Sequence, residues 1–206
     1  MNHTAVIRQY IIGHPDEAID ASYIHAQYFS LVRYDSILKV FSRFVEDGTL
    51  KQISRGVYVP ALVSDEEVYS AIVRFYVDSY NGMFIGETLY SQLGLSDYDS
   101  GKIQVYTKRL PNGKTKNISN IKLIGADIVF DDAAKNLVSV LEAIEHSRDI
   151  VDIDYVKYVS VREELITDYS DMLFREITSA VKYQRSTFAT FAEILDKLQI
   201  AHTCII

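Results

Sequence analysis

The stretch Tyr34-Asp35-Ser36-Ile37-Leu38-Lys39-Val40-Phe41-Ser42-Arg43-Phe44-Val45-Glu46-Asp47-Gly48-Thr49-Leu50-Lys51-Gln52-Ile53-Ser54-Arg55-Gly56-Val57-Tyr58-Val59 decides how the first part of this chain folds. Ile37, Phe41 and Phe44 fall at i, i+4 and i+7, and Leu38, Phe41 and Val45 widen the same stripe. That spacing predicts an amphipathic helix from Tyr34 to about Asp47. Gly48 ends it, because glycine takes the left-handed conformation that closes a helix without steric cost. Ser36, Lys39 and Arg43 lie on the opposite side. Beyond Gly48, Leu50 to Ile53 and Val57 to Val59 read as two short strands about Ser54, Arg55 and Gly56, with Lys51 and Arg55 on or beside the turn.

Upstream, Ala5, Val6, Ile7, Tyr10 and Ile11 recur at helical spacing until Gly13, His14 and Pro15 stop the pattern. Asp20 stands where an N-cap belongs, ahead of a second helix over Ala21 to Phe29. Ser30 to Arg33 is then a turn, so two helices sit close in sequence and the second carries a basic, hydroxyl-bearing face. Major-groove insertion requires that chemistry: long cations for phosphates and guanine edges, and small residues that permit approach. With the glycine-turned hairpin as a wing, the expected DNA-contacting residues are Arg33, Tyr34, Ser36, Lys39, Arg43, Lys51 and Arg55. Two plainer readings stand beside this one: a solvated helix face, and a winged helix that docks protein. Tyr34 and Tyr58 fit either a backbone contact or the core, and His25 reads as structural.

The string Val40 to Leu50, followed by Ile53 to Val59, resembles the amino-terminal domain of the AbiEi family of type IV antitoxins. The likeness covers residues 19–62, is looser over Phe84 to Leu95 and the hairpin that follows, and is weak past about residue 150. The resemblance implies a winged helix joined to a carboxy-terminal antitoxin domain, repression of the protein's own operon, and pairing with a nucleotidyltransferase-like toxin.

Composition sets the bounds. In 206 residues, 48% hydrophobic and 24% charged side chains match ordinary globular usage, which argues against disorder. No run is long and apolar enough to span a bilayer, and Met1 to Tyr10 lacks the apolar middle of a signal peptide, so a cytoplasmic protein with no membrane association is expected. The only cysteine, Cys204, excludes an internal disulfide or a thiolate metal cluster. A net charge of -7 opposes nucleic-acid binding, but its distribution does not. Residues 1–63 balance six basic against six acidic side chains, and 102–122 hold six basic and none acidic. The acidity lies in 64–101 and 123–206.

For the middle, Ser64 with Glu67 predicts a capped helix carrying Val68, Ile72, Phe75 and Tyr76 to about Tyr80. Ile85 to Leu95 reads as a short helix ending at Gly94. Ile103 to Thr107 and Asn117 to Leu123 read as a hairpin about Pro111-Asn112-Gly113, with Asp127 to Phe130 as a further strand. Asp131 or Asp132 caps a helix to about His146. Lys102, Lys108, Arg109, Lys114, Lys116 and Lys122 form a second basic patch on or beside the hairpin, suited either to guarding a sheet edge or to binding nucleic acid or an acidic partner. From Asp154 onward, Leu165, Tyr169, Met172, Leu173 and Ile177, then Phe188, Phe191, Ile194, Leu195 and Leu198, predict helices that pack on the middle or form part of a homodimer interface.

No phosphate-binding glycine loop, histidine pair of a metalloprotease, nucleophile elbow or cysteine-pair zinc motif occurs. Asp127, Asp131 and Asp132, or Asp152 and Asp154, are the acidic clusters an enzyme would use, and strand ends and helix caps account for the first of them. The expectation is therefore an α+β protein with no enzymatic activity, cofactor or metal: a winged helix-turn-helix over 1–62 and a small α+β domain with a helical extension over 63–206. Its partners would be double-stranded operator DNA, read by two copies with half-sites about 34 Å or a multiple apart, and a nucleotidyltransferase-like toxin countered with or without direct contact. The alternative is a stand-alone transcription factor whose second domain senses a ligand or partner.

Overall fold

Several helices here begin where a side chain satisfies the open end of the backbone ladder, as Asp20, Asp131, Asp154 and Ser170 do. The computed structural model describes residues 3–167 and 169–204. In it, the Asp20 carboxylate accepts from the backbone N–H groups of Ser22 and Tyr23 at 2.8 and 3.3 Å, which N-caps α2 (Ala21–Tyr28) as its sequence position required. The helix α1 (His3–Gly13) precedes it and α3 (Tyr34–Glu46) follows. Strands β1 (Ile19–Asp20), β2 (Leu50–Ser54) and β3 (Val57–Pro60) form an antiparallel sheet in the order β1-β3-β2. Ile7, Ile24, Phe29, Ile37, Phe41, Phe44 and Leu50 make one core, with Phe41 stacked on Tyr58 at 4.8 Å.

Ser64 and Glu67 bond each other through the Glu67 carboxylate at 2.9 and 3.0 Å, and after a single 3-10 turn (Asp65–Glu67) the helix α4 (Val68–Tyr76) begins. The sequence placed this helix beyond a boundary near residue 62. It belongs instead to the first compact unit, which extends to Ser79. The Ala18 N–H donates to the Ala71 carbonyl at 2.9 Å, Arg74 pairs with Asp16 at 2.8 Å, and the fully buried Tyr76 donates its hydroxyl to Asp20 at 2.7 Å. The helix also stops at Tyr76 rather than Tyr80, because Ser79 and Tyr80 adopt left-handed φ of 57° and 63°.

The second unit starts at Tyr80. Its sheet, in the order β4-β5-β7-β6, consists of β4 (Gly82–Ile85), β5 (Ile103–Thr107), β6 (Thr115–Ile118) and β7 (Ile121–Gly125). The hairpin expected between Ile103–Thr107 and Asn117–Leu123 does not form: β5 and β7 are parallel, and β6 pairs antiparallel with β7 across Ser119 and Asn120. The Pro111-Asn112-Gly113 turn is real but carries the chain across the end of β7. There the Gly113 N–H donates to the Gly125 carbonyl at 2.8 Å and the Gly125 N–H donates to the Lys114 carbonyl at 2.7 Å. A β-carbon on Gly125 would stand 2.0 Å from the Pro111 oxygen, so only glycine permits the crossing.

Two further expectations are corrected. Ile85 ends a strand, and Gly86 at φ 62° turns the chain into the short α5 (Glu87–Gln92). Asp127 to Phe130 pairs with no strand and leads into α6 (Asp132–Glu145), N-capped by Asp131, which accepts from Ala134 N at 2.9 Å. The helices α7 (Tyr155–Glu164), α8 (Asp171–Ala180) and α9 (Arg185–Lys197) follow. Ile177, Phe191, Ile194 and Leu195 join Leu137, Leu141 and Ile144 of α6 in one core, and Phe174 stacks on Phe191 at 5.4 Å. The chain is thus a mixed α and β protein that ends in packed helices, none of them, among the described residues, long and apolar enough to cross a membrane.

Candidate nucleic-acid interface

The division of α3 into two faces follows from its sequence. Ile37, Val40, Phe41 and Phe44 are buried and Leu38 and Val45 half-buried, while Ser36, Lys39, Ser42 and Arg43 are exposed. The buried side holds the helix in the core, and the polar side is left to solvent as one continuous strip. Among the described residues neither Lys39 nor Arg43 enters an ion pair with its own chain.

The other expected contact residues divide. Arg33, at the N-cap of α3, is exposed and lies 3.7 Å from Asp35, an exposed pair of little energetic weight that leaves the guanidinium accessible. Tyr34 sits at the start of the same helix with its ring edge-on to His25 at 5.3 Å. Burial, then the nearby Asp20 carboxylate and Tyr58, hold its phenol above the usual value, while Arg55 opposes. His25 is structural, as expected: its Nε2 lies 2.7 Å from the Val32 carbonyl and secures the turn between α2 and α3.

The β2–β3 turn is shorter and more tightly held than a free loop. It consists of Arg55 and Gly56 alone; Gly56 is buried at φ 72°, and its carbonyl accepts from the Ala21 N–H at 2.9 Å. Only Arg55 faces solvent at the tip. Lys51 lies toward the other end of the hairpin, where its ammonium donates to the Val63 carbonyl at 3.0 Å and pairs with Asp65 at 3.4 Å. The strip thus gathers Arg33, Tyr34, Ser36, Lys39, Arg43 and Arg55, and Lys51 is engaged elsewhere. Sequence periodicity did not single out Ser42, and no local pattern marked Leu31, which is fully exposed in the turn before α3.

The second basic group does not form one patch. Because β5 runs parallel to β7, Lys102 stays at the starting ends of the two strands, whereas Lys108, Arg109 and Lys114 gather at the finishing end. Lys116 lies on β6, which is an edge strand, as edge protection requires, and Lys122 lies on β7. Of the acidic clusters, Asp131 and Asp154 cap α6 and α7. Among the described residues no group of three histidine, cysteine or acidic side chains is placed to hold a metal.

No family model matches this chain, and no curated protein matches it. Among solved structures it is similar to the RV2827C protein from Mycobacterium tuberculosis, at 13% identity and a TM-score of 0.40, over 95% of this chain and 77% of that one.

Proposed function

We propose that the first unit is a winged helix-turn-helix that binds double-stranded operator DNA, and that the protein represses its own operon as the antitoxin of a type IV toxin–antitoxin pair. One observation carries the DNA reading: α3 is anchored by Ile37, Val40, Phe41 and Phe44 and presents Ser36, Lys39 and Arg43 outward, with no carboxylate partner for either cation among the described residues. Cations left unpaired on a convex helix suit a polyanion, because each neutralised phosphate releases condensed counterions. Arg55 at the two-residue turn and Arg33 at the helix start extend the same surface.

Two copies act together on the operator, since one helix reads only a few base pairs. The antitoxin role rests on the resemblance of residues 19–62, and the second unit counters a nucleotidyltransferase-like toxin without needing to touch it. The protein works in the cytoplasm and has no enzymatic activity and no cofactor in this reading. Selection of native genomic fragments by the purified protein tests it: enrichment of the segment upstream of its own gene supports autoregulation, and recovery of fragments without preference contradicts it.

A cavity of about 560 Å³ in the second unit, lined by Tyr106, Asn112, Ile124, Ser179 and Lys182 among others, favours a second reading, a stand-alone transcription factor that senses a small ligand there. A neighbouring toxin gene whose product is lethal without this protein decides for the antitoxin.

A further inference from the structure

The turn between α2 and α3 turns its apolar residues in opposite directions. Phe29 is buried and Val32 is half-buried, both in the core of the first unit, whereas Leu31 between them is fully exposed. This arrangement is fixed from within. The Val32 N–H donates to the Phe29 carbonyl at 2.8 Å, the Val32 carbonyl lies 2.7 Å from His25 Nε2, and the Ser36 N–H donates to the Arg33 carbonyl at 2.9 Å. Leu31 is therefore presented by a braced turn rather than carried on a slack loop.

A single exposed leucine needs no explanation on most surfaces. Leu31 differs in its place, three residues ahead of α3 and beside exposed Arg33, Tyr34 and Ser36. In helix-turn-helix docking it is the start of the reading helix that meets base edges. The one apolar group that the major groove displays is the C5-methyl of thymine, and aliphatic side chains recognise it by contact.

We infer that Leu31 is a specificity-determining residue that packs on a thymine methyl in the major groove. This rests on the DNA-binding reading of α3 and adds to it an apolar contact that the cations do not supply. Lysine and arginine recognise phosphates and guanine, so without such a contact the surface does not favour A·T pairs.

The test uses uracil, which keeps every hydrogen-bonding group of thymine and lacks the methyl. The promoter segment upstream of the protein's own gene is amplified once with dTTP and once with dUTP, and both products are titrated with the full-length protein and with Leu31→Ala. The expected result is that the unaltered protein binds the uracil product about fourfold more weakly for the methyl contacted. Leu31→Ala binds the thymine product more weakly by a similar factor and no longer distinguishes the two. Indifference of the unaltered protein to uracil overturns the assignment. So does Leu31→Ala that weakens both products equally yet keeps the discrimination, which would make Leu31 a contact between copies. If Lys39→Ala with Arg43→Ala abolishes binding while uracil has no effect, the helix assignment stands and the leucine assignment falls. Failure of the unaltered protein to retard either product overturns both.

Discussion

The Tyr34 hydroxyl lies over Gly56, 3.3 Å from where a β-carbon on that glycine would stand, and so joins the start of α3 to the turn between β2 and β3. Gly56 has two reasons to be glycine: its φ of 72° and this contact. Gly56→Ala is expected to cost roughly 1–2 kcal/mol for the left-handed backbone, and to displace Tyr34 and with it Arg55 beside it. Urea denaturation measures the first effect. Weakened DNA retardation by a protein that remains folded at the assay temperature measures the second.

Asp20 is the most heavily used carboxylate of the first unit. It caps α2, accepts from Ser22 Oγ at 2.5 Å, and receives the Tyr76 hydroxyl from α4. Tyr76→Phe keeps the ring and deletes one bond to a fully buried carboxylate, so it should cost about 1.5–3 kcal/mol of unfolding free energy. A cost near zero would mean that α4 does not brace the capped helix.

The two halves of the molecule were unequally legible. In the first, the i, i+4, i+7 stripe of Ile37, Phe41 and Phe44, the cap at Asp20 and the stop at Gly48 are local signals, and each appears where its chemistry placed it. The membership of α4 in that unit was not legible, because it depends on Tyr76 and Arg74 reaching Asp20 and Asp16 more than fifty positions away. In the second unit, Pro111-Asn112-Gly113 announced a turn but not its use. Hairpin and crossover share the same turn residues, and the deciding fact is the close passage of the Pro111 carbonyl over Gly125. Of the exposed strip on α3, Lys39 and Arg43 followed from helical period alone. The engagement of Lys51 away from that strip was not legible, because its partners Val63 and Asp65 lie beyond the hairpin.

A buried carboxyl contributes to the pH response of the second unit. Glu142 is 2% exposed; burial holds its carboxyl above the usual range, against the opposing effects of His146, 3.8 Å away, and of the Tyr106 hydroxyl, which donates at 2.9 Å. A carboxyl raised in the folded state favours folding fully below its unfolded value of about 4.3, and that contribution is lost as pH rises through the folded value. Unfolding free energy should therefore decline with pH from about 4.3 upward, by at most about 1.4 kcal/mol per pH unit for the one proton. Glu142→Gln should flatten that decline. Denaturation series at several pH values measure both, and an unchanged slope in the variant would assign the response to other groups.

Salt separates DNA binding from protein docking. If Arg33, Lys39, Arg43 and Arg55 meet phosphates, the logarithm of the association constant should fall linearly with the logarithm of salt concentration, by roughly 0.9 for each phosphate neutralised. Arg55→Ala should reduce that slope by about one while sparing the fold, since its side chain is exposed at the turn. A flat response would identify α3 as a protein-docking face.

The most direct measurement concerns Lys39 and Arg43 together. Both are exposed on a helix whose opposite face is anchored by Phe41 and Phe44, so replacing both with alanine should leave circular dichroism and the unfolding midpoint unchanged. Retardation of the protein's own promoter fragment should weaken by about a hundredfold or more, as two lost groove contacts require. Retardation undiminished by the double substitution would contradict the account.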